Sequence, residues 1–301
     1  MLTFLFLCYF HVDPLYADIT WGAGGGTSDL TLEIASKLKE SGMEANMHLT
    51  CTNMPVEKIT QALKGAKDAG IQNIVALRGD PPKGQEAWVA AEGGFSCALD
   101  LVKYIRKEYG DFFGISVAGY PEGHPNVIKK VENVDTLSES EKLRMVKTEE
   151  GYFVCHDDDY KNELAYLKEK VDAGADFIIT QMFFDSQVFI QFAKDCKAAG
   201  INCPIMPGIM VIQSYGGFKR MTGFCKSRVP PRFWEILDAV KDDEAKVKEA
   251  GVQLGTEMSN DLLAAGFHGL HYYSLNLEKV TYGILKELGL YKELEGSHIL
   301  D

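Results

Sequence analysis

Short apolar, β-branched runs recur along this chain, and amphipathic stretches of helical period fill the intervals between them. The strand candidates are Ala17–Thr20, Ala45–Cys51, Asn73–Gly79, Gly114–Tyr120, Phe177–Phe183, Cys203–Met210 and Gly269–Leu275. Most are continuous apolar stretches rather than alternating ones, the pattern of strands buried on both faces. Between them, Val56, Ile59, Leu63 and Ala66 recur at helical spacing ahead of Gly70, a C-cap candidate. Ala98, Leu101, Val102 and Ile105 repeat the pattern after Gly93-Gly94, and Leu164, Leu167 and Val171 repeat it ahead of Gly174. Strands alternating with helices specify βαβ units and a parallel sheet.

The fold class is therefore α/β, and a (β/α)8 TIM-type barrel fits best, with seven of its eight strands recognisable. An open doubly wound sheet could also hold seven strands and is the second choice. It is weakened because no G-x-G-x-x-G opens a helix after the first strand; the GAGGG of Gly22–Gly26 has the wrong spacing for that fingerprint. Two regions break the rhythm. Residues 126–159 are polar and charged, too long for an ordinary connection, and read as a surface insertion or mobile loop. Residues 214–265 read as mainly helical, with a break at Pro230-Pro231.

Composition excludes several functions. A net charge of -12 argues against a nucleic-acid surface, which needs clustered Lys and Arg. No apolar run approaches the roughly 20 residues of a membrane-spanning helix. The opening MLTFLFLCYF has the length of a signal-peptide core, but no basic residue precedes it. A cut after Ala17 would also remove the start of a strand, so residues 1–12 are set apart as an atypical apolar segment. The seven cysteines are scattered and contain no C-x-x-C pair, so they read as reduced thiols in or near the core. His48, His124 and His271 lack the spacing of a metal site.

The informative polar residues fall late in the strands, where barrel enzymes place their chemistry. They are Thr20-Trp21, His48 with Thr50, Arg78-Gly79-Asp80, Gly119-Tyr120, Thr180-Gln181 and Tyr273. Any one of them has a structural explanation: rim hydroxyls, a core histidine, a local Arg78–Asp80 ion pair. Together they favour one shared site for an organic cofactor with ring and phosphate groups.

The blocks ADITWGAGGG, NMHLTCTNMP, NIVALRGDPP, EGGFSCALDLVKYIR, VAGYPEGHP, DAGADFIITQMFF, CPIMPGIM and GLHYYSLNLEK closely resemble methylenetetrahydrofolate reductases of the eukaryotic, fungal-like kind. The resemblance covers roughly residues 13–125 and 160–290, in order. It implies a barrel at 13–290 that binds FAD and uses NADPH or NADH to reduce 5,10-methylenetetrahydrofolate to 5-methyltetrahydrofolate, in one-carbon and methionine metabolism. Thr20, His48, Arg78, Gly79, Asp80, Ala98, Gly119, Tyr120 and His124 would line the FAD. Lys170 would lie on its phosphate side, and Cys97 and Glu163 at further flavin-contact positions. Asp80 and Gln181 would be catalytic, and Asp80, Gln181 and Tyr273 would contact the folate. The implied partners are small molecules, with no nucleic acid, membrane or metal; a homo-oligomer is compatible with the family, and its usual compartment is the cytoplasm.

The chain also departs from the family pattern. The first strand, F-E-[FY]-F-x-P-[KR], whose glutamate donates a proton to the folate, has no counterpart, so the missing barrel strand is the first. Leu277 stands where several members have an arginine facing the folate tail. The expectation is a catalytic span without the family's regulatory domain after the tail at 291–301, and 126–159 has no recognised counterpart. A catalytically impaired flavin-binding or assembly subunit derived from the enzyme is therefore the alternative expectation.

Overall fold

Each apolar run marked as a strand carries extended, hydrogen-bonded backbone in the computed structural model, which describes residues 12–21, 28–52, 54–79 and 93–292. The seven strand regions expected of the α/β chain are all present, and the strands Ala17–Ile19, Ala45–Thr50, Asn73–Leu77, Gly114–Gly119, Phe177–Thr180 and Ile205–Met206 are hydrogen-bonded in that order. Chain contacts divide the molecule into two units: residues up to Ala118 with Lys168–Ile178, and Gly119–Leu167 with Ile179 onward.

In the first unit, β1 (Ala17–Ile19), β2 (Ala45–Thr50), β3 (Asn73–Leu77) and β4 (Gly114–Gly119, whose last residue begins the second unit) pair in parallel. The register places Asp18 beside Asn46, His48 beside Val75 and Val75 beside Ser116. Side chains alternate along a strand, so this pairing sorts the sheet into two faces. One carries Asp18, Asn46, His48, Thr50 and Ser116; the other carries Ala17, Ile19, Met47, Leu49 and Ala76, all buried. Along β2 the polar and apolar faces alternate residue by residue, with period two.

Helix α1 (Ser28–Glu40) packs on β2, and α3 (Ala98–Tyr109) packs on β3. Between them in sequence, α2 (Val56–Asp68) buries Ile59, Leu63 and Ala66 at the expected helical spacing. Burying an aliphatic side chain of this size contributes about 1.5–3 kcal/mol. The chain leaves α2 through Gly70 at φ +73°, as its position predicts.

Arg106 near the end of α3 donates from Nε and Nη2 to the Gly174 carbonyl and from Nη1 to the Phe113 carbonyl at 2.7 Å. Its Nη2 also meets Asp176 Oδ2 at 2.6 Å. Asp176 in turn exchanges hydrogen bonds with the backbone of Ile115 in β4. Gly174 has φ +117°, and a Cβ there would lie 2.7 Å from Arg106 Nε, so only glycine fits.

The second unit corrects the expectation for residues 126–159. Instead of a loose insertion, they build an antiparallel sheet, β5 (Ile128–Val131), β6 (Val146–Thr148) and β7 (Gly151–Cys155), in the order β5-β7-β6. A short helix, α4 (Glu139–Arg144), enters through a Ser138–Glu141 capping box. The acidic run at Asp157–Asp159 opens α5 (Asp157–Asp172), where negative charge complements a helix N-terminus. The buried Arg144 guanidinium holds Asp157 at 2.7 Å and lies over the Tyr160 ring.

Farther along, β8 (Phe177–Thr180) begins in the first unit and ends in the second. The Cys203–Met210 region divides into β9 (Ile205–Met206) and β10 (Gly208–Met210), because Pro207 has no N–H to continue the ladder. Strand β11 (His271–Tyr273) pairs in parallel with β10, and Phe183 bridges to Ile209. Helices α6 (Ser186–Ala198), α7 (Tyr215–Cys225), α8 (Pro231–Val240) and α9 (Glu244–Ala264) surround a core of Phe183, Phe184, Phe189, Ile209, Leu237 and Leu254. As expected, 214–265 is mainly helical, and Pro231 starts α8 at a position where proline is tolerated. The last helix, α10 (Glu278–Glu287), packs on α9.

Candidate functional site

In the first unit, the expected residues lie at the ends of β1, β2 and β3 and at the start of α3. Thr20 follows β1 and is exposed; its carbonyl accepts the Thr31 hydroxyl at 2.8 Å. His48 projects from the polar face of β2, with Nε2 3.3 Å from Asp18 Oδ2. Arg78 and Gly79 follow β3, and the Arg78 carbonyl accepts the N–H groups of Cys51 and Thr52 at 3.2 and 3.0 Å. Gly79 has φ +98°, and a Cβ there would lie 2.8 Å from Thr52 Oγ1 and 2.9 Å from Thr50 Cβ. The chain needs glycine at this turn.

Cys97 precedes α3, and its carbonyl accepts the Cys51 thiol at 3.4 Å, tying the end of β2 to that helix start. Ala98 is the first residue of α3. Asp100 is partly desolvated, but hydrogen bonds from Ser96 and Cys97 outweigh this and hold its carboxyl below the usual range. Burial, with a smaller contribution from Cys97, pushes the Cys51 thiol up to about 12, so Cys51 is a packing residue. Asp80, the expected catalytic carboxylate, lies outside the described residues.

Around these residues the first unit leaves hydrogen-bonding capacity unused. Trp21 Nε1, both amide atoms of Asn46, Thr50 Oγ1 and Thr52 Oγ1 are buried without a hydrogen-bond partner among the described residues. His48 Nε2 makes no hydrogen bond there either; Asp18 is near but poorly aligned. An unsatisfied buried group costs about 1–3 kcal/mol, and native proteins leave few. A polar, planar group with several donors and acceptors would satisfy such a set, and Gly79 holds Thr50 and Thr52 of that set in place through a turn too tight for a Cβ. The residues present therefore fit a flavin. Lys170, the expected phosphate-side residue, is buried in α5 and donates to the Ala118 carbonyl at 2.8 Å.

The second unit carries the remaining expected residues. The Gly119 carbonyl at the end of β4 accepts the Gln181 N–H at 2.7 Å. Tyr120 meets His124 edge-to-face, with ring centroids 4.8 Å apart. His124 Nδ1 accepts the Asn126 N–H at 3.2 Å, which places the proton of a neutral ring on Nε2. Gln181 uses Oε1 to accept the Met182 N–H, and its Nε2 has no partner among the described residues. The Tyr273 hydroxyl donates to the Thr180 carbonyl at 2.8 Å, so its proton is already committed. Glu163 is half-buried on α5. Leu277 is exposed, and its carbonyl accepts from Gln213 Nε2.

Sequence reasoning passed over Asn46 and Thr52, which the alternation along β2 could have grouped with His48. It also passed over Glu122, which sits between Tyr120 and His124. Burial is the main force raising the Glu122 carboxyl to about 8; nearby Asp185 adds to this, and the Arg228 N–H opposes it.

A model of the Methylenetetrahydrofolate reductase family matches residues 8–289, so the folded segment 126–159 lies within the family's span. The chain belongs to the methylenetetrahydrofolate reductase family. A relative from Zea mays, "Methylenetetrahydrofolate reductase (NADH) 1", is 53% identical over 95% of this chain and 45% of its own length. "Methylenetetrahydrofolate reductase 2" of Saccharomyces cerevisiae is 44% identical over 92% of this chain and 42% of its own length. A bacterial "5,10-methylenetetrahydrofolate reductase" from Pectobacterium carotovorum is 32% identical, with 92% of this chain matching 80% of that one. The chain thus spans about half the length of its eukaryotic methylenetetrahydrofolate reductase relatives and most of the bacterial one.

Proposed function

We propose that this chain reduces 5,10-methylenetetrahydrofolate to 5-methyltetrahydrofolate with a nicotinamide donor, through bound FAD. The observation that carries this reading is the unsatisfied polar set of Trp21, Asn46, His48, Thr50 and Thr52 beside Gly79. The bacterial relative supports it, because 80% of that protein corresponds to the span present here. NADH is the proposed donor, since the plant relatives at 51–53% identity carry NADH in their names, whereas a Caenorhabditis elegans relative named for NADPH is 34% identical.

Bound FAD would supply the hydride-transfer chemistry that links the nicotinamide to the folate. The protein's work is positioning. Gly79 lets the turn after β3 pack directly on Thr50 and Thr52, and the orphaned donors and acceptors of β2 would hold the cofactor's polar edge. Lys170 supplies positive charge for the phosphates. Gln181 offers its Nε2 donors to the folate ring, its carbonyl being held by Met182 N–H. Tyr273 presents its ring and an accepting oxygen, because its proton stays with Thr180.

Reconstitution with FAD tests the cofactor. The expected result is stoichiometric uptake with a raised Tm, weakened by T50V and N46L, which remove polar atoms without opening a large void. A chain whose Tm ignores FAD, or whose uptake survives both substitutions, contradicts the assignment.

A further inference from the structure

The second unit buries a carboxyl group that the proposed chemistry does not use. Glu122 is 4% exposed, and its Oε1 accepts the backbone N–H of Arg228 at 2.7 Å. Arg228 is itself anchored: Nε donates to Asp185 Oδ2 at 2.8 Å, and Nη1 donates to the carbonyls of Met145 and Lys142. Two residues earlier, Lys226 Nζ donates to the carbonyls of Pro125 and Ile128 at 3.2 and 3.1 Å. Residues 226–228 thus grip the chain on both sides of His124. Within the grip, the Gly123 N–H donates to the Tyr120 carbonyl at 3.0 Å, and Gly123, at φ +93°, leaves no room for a Cβ against Cys155.

We propose that Glu122 is a positioning residue for the cofactor: protonated, it latches the Tyr120–His124 turn to residue 228, and on losing its proton it releases that turn. This rests on the reading that Tyr120 and His124 line the flavin. The charged groups facing Glu122 are Asp185, from the turn before α6, and Arg228, from the segment after α7; His124 follows on its own turn. Ionised Glu122 would be a second carboxylate near Asp185, buried and held by one N–H, with the Arg228 guanidinium already bound to Asp185. A buried charge so poorly compensated is relieved by opening to water. The raised affinity of this group for its proton, with a midpoint of about 8, puts the transition within an accessible range.

The sign follows from linkage. An unfolded glutamate titrates near 4.5 and the folded one near 8, so between these values the folded state binds the extra proton. Its contribution to stability is complete below about 4.5 and is lost as pH rises toward 8.

The experiment measures the FAD dissociation constant and the Tm of the full chain and of E122Q from pH 6 to 9. The parent is expected to bind FAD about tenfold more weakly at pH 9 than at pH 6.5, while E122Q, fixed neutral, keeps one affinity across the range. The Tm of E122Q relative to the parent should rise with pH. Parallel pH profiles for parent and E122Q, in affinity and in Tm, would overturn the latch. If the parent takes up no FAD at all, the cofactor reading fails, and the latch is then judged by Tm alone. E122A should weaken FAD binding at least tenfold already at pH 6.5; unchanged binding in that variant also counts against the proposal.

Discussion

The Gln181 N–H donates to the Gly119 carbonyl at 2.7 Å, so the ends of β4 and β8 are joined one residue from Tyr120. With one lone pair of its side-chain carbonyl taken by Met182 N–H, Gln181 presents its Nε2 donors to a substrate. Replacing it with alanine removes those donors and leaves the backbone bond in place. Q181A is expected to lower kcat/KM for the folate by about 10- to 100-fold, the equivalent of one lost polar contact, with FAD affinity unchanged. Steady-state kinetics beside a flavin titration would separate the two; an equal loss of flavin would assign Gln181 to the fold instead.

Gly79 is the position at which one added methyl group should do most harm. Its φ of +98° is strained for alanine, and the new Cβ would strike Thr50 and Thr52. G79A should cost about 1–3 kcal/mol and weaken FAD binding more than tenfold. Urea unfolding and flavin fluorescence report these separately, and wild-type values in both would show that the turn tolerates a side chain.

Arg106 tests what holds the first unit together. R106M leaves the carbonyls of Gly174 and Phe113 without their side-chain donor and should destabilise by about 1–3 kcal/mol. R106K should recover only part of this, since an ammonium cannot reproduce the planar fork that meets Gly174 and Asp176 together. Full rescue by lysine would show that charge, rather than fork geometry, matters there.

Thiol labelling probes burial. Because desolvation pushes the Cys51 thiol up to about 12, and thiolate is the reactive form, Cys51 should resist iodoacetamide at pH 8 in the native chain and react once unfolded. Peptide mapping after brief labelling reads this directly. Rapid native alkylation of Cys51 would mean that the end of β2 is open to solvent.

Much of this was legible in the sequence. Among the described residues, hydrophobic runs located every parallel strand region, and Gly70 and Gly174 end helices where their positions predict. The spacing of Asn46, His48 and Thr50 also contains the polar face of β2, because side chains alternate with period two. The antiparallel sheet of residues 126–159 was not legible, since Lys129 and Lys130 mask β5 and the acidic run resembles a loop. Glu122 was illegible for a different reason. Its burial depends on Arg228, 106 residues later, and no local pattern announces such a partner. The role of Tyr273 is similarly set by a distant group, the Thr180 carbonyl.

The proposed reduction is tested by the visible absorbance of the FAD-loaded chain under anaerobic conditions, first with NADH and then with 5,10-methylenetetrahydrofolate. The flavin band is expected to bleach with NADH and return in full when the folate is added, with 5-methyltetrahydrofolate recovered in equal amount. A band that bleaches and stays bleached in the presence of the folate would contradict the proposal, leaving a flavin-binding member of the family that does not carry out the reduction.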